Sequence, residues 1–143
     1  MEKIVLLYHN CSIGSQNNKK SLASLGVLES LIKIFQFLAQ KKDNLTYPTL
    51  RLTLKTIGNL SLAFENAQIL LQKGKFIKIS EELIFSNKKF TFSKQKYSEL
   101  IKLILDTITI FASFPDEINY VNLVELIDQG AMNLLTRYLF ILI

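Results

Sequence analysis

One cysteine, one histidine and no tryptophan occur among the 143 residues, and these scarcities exclude much chemistry. A structural zinc site takes about four Cys or His ligands, so the two residues present cannot build one. A lone cysteine closes no disulfide within the chain. With no secretory core ahead of it, it fits a reducing, cytosolic setting. Two prolines and five glycines are too few for a strand-and-turn sandwich, a Pro-rich linker or a collagen repeat. Long apolar runs are missing too. Ile4 to Tyr8 is shorter than the roughly 7–15 residues of a signal-peptide core. Tyr138 to Ile143 falls well short of the ~20 residues that span a bilayer, and Lys102 and Asp106 interrupt the greasy stretch from Leu100 to Phe114. A membrane is therefore not an expected partner. The N-x-S/T triplets that begin at Asn10, Asn44 and Asn59 read as chance matches in a cytosolic chain.

What is present is a hydrophobic fraction of 49%, enough for one domain with a real core. The net charge of +5 is unevenly spread. Residues 1–72 carry +4, residues 73–96 carry +5 and residues 97–143 carry −4. A basic front and an acidic tail suit a partner of mixed charge or head-to-tail contact. Nucleic acid would ask for a more continuous basic stripe and is not the expected partner.

Helical spacing dominates. Leu28, Leu31, Ile32, Phe35 and Leu38 recur on one face, as do Leu50, Leu54, Ile57 and Leu60. Leu100, Ile101, Ile104, Ile108 and Phe111 form a third such face, with Lys102, Asp106, Thr109 and Ser113 opposite. Breaks are expected at Gly14 to Asn17, Asp43 to Pro48, Ser86 to Ser93 and Phe114 to Asp116. Phe76 to Ile79 alternates like a strand, as does Phe90 to Phe92. Both are isolated, so the first is assigned to a helix and the second to a loop. The expected fold class is all-α.

Three segments share a pattern around a glycine, at Gly26, Gly74 and Gly130. Asn18, Asn66 and Asn122 stand eight residues before them, and Leu22, Leu70 and Leu126 four before. Leu28, Phe76 and Met132 follow two after; Leu31, Ile79 and Leu135 five after; Phe35, Leu83 and Leu139 nine after. Each glycine is expected to turn the chain through a left-handed conformation between a short helix and a longer one. Each asparagine is expected to cap the short helix. The intervals leave room for a third helix, at Tyr47 to Leu62 and again near Gln95 to Ser113.

Short helix, long helix, long helix resembles the armadillo repeat. The closest segment is Gly58-Asn59-Leu60-Ser61-Leu62-Ala63 with Asn66 and Gly74 behind it, echoed by Tyr8 to Ile13 with Asn18 and Gly26. Ser113 replaces the helix-three asparagine in the last copy. The resemblance implies a short armadillo/HEAT-like α-solenoid over residues 1–143, with units around 1–41, 48–88 and 95–143. Basic residues 88–94 read as an insertion. The texture is similar to that of degenerate armadillo-like proteins of centrioles and cilia, such as rotatin. By the same resemblance, third helices line a concave face that binds extended peptides, and Asn10 and Asn59 match the position whose amide grips a peptide backbone. Leu6 and Lys55 stand where such arrays often place Trp.

The expected function is a non-enzymatic protein–protein interaction scaffold in a larger cytoplasmic assembly, of the cytoskeletal or ciliary kind. Its partner-binding candidates are Asn10, Arg51, Lys55, Asn59, Lys102, Asp106, Thr109 and Ser113. The alternative is a helical domain that binds RNA or acidic surfaces through Lys73, Lys75, Lys78, Lys88, Lys89, Lys94 and Lys96. The chain opens in what reads as a third helix and closes within a second one. Its C-terminal end, through Tyr138, Leu139, Phe140 and Leu142, is therefore expected to dock on a neighbour. No cofactor is expected. Gly14 to Ser21 approaches a phosphate loop, but Lys19 replaces the second glycine and no strand precedes it. His9 and Cys11 diverge on a helix, as do Glu81 and Glu82, so neither makes a catalytic pair.

Overall fold

The computed structural model describes the chain apart from residues 42, 86–91 and 143 and the side chains of 116 and 140–142. Among the described residues there are nine helices and no strand. They are α1 (Glu2–Ser12), α2 (Gln16–Ser24), α3 (Val27–Lys41), α4 (Tyr47–Leu60), α5 (Phe64–Gln72), α6 (Phe76–Phe85), α7 (Lys94–Ala112), α8 (Asp116–Asp128) and α9 (Ala131–Leu142). The alternating Phe76 to Ile79 is helical, as its isolation from other strand signals suggests. Phe90 and Thr91 of the other alternating stretch lie outside the described residues, as do Lys88 and Lys89.

Helices three places apart in the chain lie against each other: α1 on α4, α4 on α7, α2 on α5, α5 on α8 and α3 on α6. Arg137 of α9 adds a link to α6, with its guanidinium 2.9 Å from Glu81 and 4.0 Å from the Phe85 ring centre. α4 meets α1, α3 and α7. Leu50, Leu54, Ile57 and Leu60 are fully buried on it, and Thr49, Thr53 and Thr56 are buried as well. Thr53 and Thr56 return their hydroxyls to the carbonyls of Thr49 and Leu52. That satisfies a donor which would otherwise be costly to bury. Pro48 stands in the first turn, where its missing N–H costs nothing. In the core, Phe35 of α3, Phe76 of α6 and Phe111 of α7 meet ring to ring.

The three asparagines do not act as caps. Ser15 caps α2, accepting from the Asn18 N–H at 3.3 Å, so Asn18 lies inside the helix. Asn66 also lies inside its helix and is buried, and its Nδ2 donates to Leu60 O at 3.1 Å and Lys19 O at 3.0 Å. It ties the end of α4 to α2. Asn122 is deeper still, because α8 begins about a turn earlier than the repeat implies.

The glycine turns differ as well. Gly26 and Gly130 adopt φ of +81° and +84°, as expected. At the middle copy the left-handed residue is Lys75, at φ +51°. Gly74 is needed there for space: a Cβ would lie 2.6 Å from Leu70 O and 2.9 Å from Ile32 Cγ1. Adjacent substitutions should therefore act in opposite directions. Gly74→Ala is expected to destabilise by about 1–3 kcal/mol through overlap. Lys75→Gly is expected to stabilise by up to about 1 kcal/mol through relief of the left-handed strain. Urea midpoints of the two variants check both signs.

Candidate functional site

The row α1, α4, α7 presents a shallow hollow of about 300 Å³, lined among others by His9, Lys55, Gly58, Asn59, Asp106 and Thr107. Three of the residues singled out in the sequence, Lys55, Asn59 and Asp106, thus share one surface. Gly58 faces α7, where a Cβ would make an ordinary contact with Thr107 Oγ1 at 3.4 Å.

His9 was not among the predicted binding residues. Its Nδ1 lies 3.3 Å from Thr56 Oγ1. The Thr56 hydroxyl already donates to Leu52 O, so it accepts here and the proton sits on His9 Nδ1. Burial, then the nearby Lys55 ammonium, holds the imidazole pKa below its ordinary value. The ring is therefore neutral at neutral pH, with Nε2 as its acceptor.

Asn59 Nδ2 donates to Ser12 Oγ at 3.2 Å, and Ser12 Oγ donates to His9 O at 2.7 Å. That donor is spent on fastening α4 to the end of α1. Lys102 and Asp106 pair at 2.9 Å within one exposed turn. Thr109 and Ser113 direct their hydroxyls to the α7 carbonyls of Leu105 and Ile110. Asn10 is exposed on α1.

Arg51 lies apart from this hollow, in a trio with Tyr47 and Glu99. Its Nε and the Tyr47 hydroxyl both donate to the Glu99 carboxylate. Those two bonds, the Tyr47 one first, hold the Glu99 pKa below its ordinary value. Burial, then the bond to Glu99, pushes Tyr47 up to about 12. A lowered carboxyl pKa means that the unfolded chain takes up the proton first. The Glu99 contribution is complete above its unfolded pKa of about 4.5 and fades as pH falls through the lower folded value. Glu99→Gln should therefore flatten the acid side of the stability curve, where urea midpoints are read against pH. Partial exposure of the Arg51 and Glu99 side chains keeps the effect below about 1 kcal/mol.

The predicted basic patch falls into two groups. Lys73, Lys75 and Lys78 border a hollow of about 320 Å³ with Gln36 and Glu82. Lys94 and Lys96 belong to the first turn of α7, where Lys96 lies 5.0 Å from the Tyr47 ring centre. The Tyr97 hydroxyl bonds to Ile84 O, which sets this second group near the other end of α6, about 15 Å along. Of the predicted end-face residues, Tyr138 packs partly against the core and Leu139 is 57% exposed. The side chains of Phe140 and Leu142 lie outside the described residues.

Lys19, set aside as a failed phosphate-loop residue, is buried, and its ammonium caps the carbonyls of Ser12 and Gly14. Among the described residues, no three His, Cys, Asp or Glu are grouped as a metal ion would require. No single helix among them is long and apolar enough to cross a membrane. No protein-family model, no curated protein and no solved structure matches the chain.

Proposed function

We propose that the chain is a short armadillo-like α-solenoid which serves as a non-enzymatic protein–protein interaction module in a cytosolic assembly, of the cytoskeletal or ciliary kind. The observation that supports this most directly is the contact between helices three places apart, α1 with α4, α4 with α7, α2 with α5, α5 with α8 and α3 with α6. Such stacking makes open rows of equivalent helices, and a row offers an extended surface to another chain. On the α1–α4–α7 row the hollow holds an ammonium, an amide, a carboxylate and a neutral imidazole within an apolar floor. These are donors and acceptors suited to a polypeptide backbone and its side chains.

A photo-crosslinking residue at position 55, compared with one at position 33 on α3, tests the reading in the native cell. Discrete protein adducts from position 55 that are absent from position 33 are expected. Equal adduct patterns from both positions would sink the groove as a binding surface. Adducts removed by ribonuclease, and weakened steeply by salt, would favour binding of RNA through the lysines instead.

A further inference from the structure

α8 is docked with part of its polarity reversed: Leu123 and Leu126 pack on the core, but two asparagines face inward beside them. Asn119 and Asn122, a turn apart, are fully buried, and among the described residues neither amide has a hydrogen-bond partner through its oxygen or its nitrogen. On the outside stand Ile118, Tyr120, Val121, Val124 and Ile127, of which Tyr120 is 72% and Ile127 65% exposed. For a water-facing helix this arrangement is costly: Leu126 is buried, but two amides are stripped of water and Tyr120 and Ile127 are left wet. The reversal becomes favourable once a second surface covers the outer face.

The charges around that face say what fits there. α8 carries Asp116, Glu117, Glu125 and Asp128 and no basic residue, in a chain whose net charge is +5. Glu117 and Asp128 are exposed near its two ends, and at Asp128 the negative end of the helix dipole adds to the charge, whereas Glu125 borders a hollow shared with Lys75 and Lys78. A second copy is a poor occupant in either geometry. Pairing α8 with α8 across a two-fold axis sets acid against acid. Continuing the α2–α5–α8 row onto a second copy sets the apolar face against α2, whose exposed residues are Gln16, Asn17, Asn18, Lys20, Ser21 and Ser24.

We infer that the outer face of α8 is a docking site for an amphipathic helix of another protein, one whose apolar stripe is flanked by Lys and Arg. α8 is about 20 Å long, so it can meet nearly four turns of such a helix. The inference rests on the interaction-module reading but uses a different surface from the α1–α4–α7 hollow.

The test titrates the full chain with a labelled Leu/Lys peptide of about five helical turns, patterned with one apolar face. A Leu/Glu peptide of identical pattern runs beside it, with anisotropy as the readout. The Leu/Lys peptide is expected to bind, and to weaken with added salt. Val121→Lys/Ile127→Lys should cost at least about tenfold in affinity, whereas Leu7→Lys at the opposite end should leave binding unchanged. These are surface substitutions, and unchanged circular dichroism confirms folding. Equal binding of the two peptides, or unaltered affinity in the α8 variant, overturns the inference. Self-association without peptide that Val121→Lys abolishes assigns the face to a second copy and overturns it as well. Asn119→Leu/Asn122→Leu should raise the thermal midpoint by a few degrees with affinity kept. Loss of binding in that variant would mean that α8 binds only after rotating, and would also overturn it. Failure here with position-55 adducts intact leaves the module reading standing; loss of both removes it.

Discussion

Phe76→Ala is expected to destabilise the chain by about 3–5 kcal/mol. The ring is fully buried on α6, 5.6 Å from the Phe35 ring of α3 and 5.5 Å from the Phe111 ring of α7. The contact with Phe111 is edge to face, with an interplanar angle of 89°. Truncation removes the transfer energy of the ring and leaves a cavity whose walls belong to three helices, so no single side chain can relax into it. Domains are stable by only about 5–15 kcal/mol, and the variant should lose a large fraction of this. The urea midpoint is expected to fall sharply with an unchanged slope, the sign of an altered stability rather than an altered unfolded state. Phe64→Ala is the control. That ring is half-buried, 5.3 Å from Phe114, and its loss should cost less than half as much. Equal losses at the two positions would mean that Phe76 is not the junction of the core.

Lys19→Met is the second large effect, expected at about 2–3 kcal/mol. The Lys19 ammonium donates to Ser12 O at 2.8 Å and Gly14 O at 2.7 Å. These carbonyls lie at and just past the end of α1, where a cation also answers the helix dipole. Methionine keeps the length of the stem but leaves both carbonyls unpaired in a buried place. The desolvation of the ammonium is recovered in the variant, which holds the loss below the sum of two charge-assisted bonds. Lys20→Met makes an internal comparison. Lys20 pairs with Glu65 at 3.0 Å, but both side chains are about half exposed, so its change should stay within about 1 kcal/mol. A Lys19 effect no larger than that of Lys20 would show the buried contacts to be energetically idle.

The two lysines show where legibility in the sequence stops. Lys19 and Lys20 are adjacent and chemically identical, yet one is a buried structural cation and the other a surface charge. Which is which depends on the rotation of α2 about its axis once it meets α1 and α5. The candidate site behaves in the same way. Lys55, Asn59 and Asp106 were foreseeable because each sits on the polar side of an amphipathic helix. His9 was not, because its place in the hollow depends on α1 lying along α4. Glu99 was missed for a similar reason: its partners Tyr47 and Arg51 are 52 and 48 residues away in the chain. Asn66 was noticed through its spacing to Gly74 and given the wrong task. Spacing marks a repeated position, whereas hydrogen bonding at that position is decided by the neighbouring helices.

The sequence by itself determined the helices. The apolar period placed third helices at Tyr47 to Leu62 and Gln95 to Ser113, against the observed Tyr47–Leu60 and Lys94–Ala112. Of the three glycines it marked as left-handed turns, Gly26 and Gly130 are so. These are local matters, settled by backbone hydrogen bonds and side-chain period over a few residues. Tertiary structure alone decided the rest. It put the left-handed turn at Lys75 and made Gly74 necessary for space, since Leu70 O and Ile32 fill the place of a Cβ there. It turned α8 so that two asparagines face inward beside Leu123 and Leu126 while isoleucines and valines face outward. The physical reason is the same in both cases: helix period is set within one segment, but which face of that segment is buried is set by the surfaces it meets.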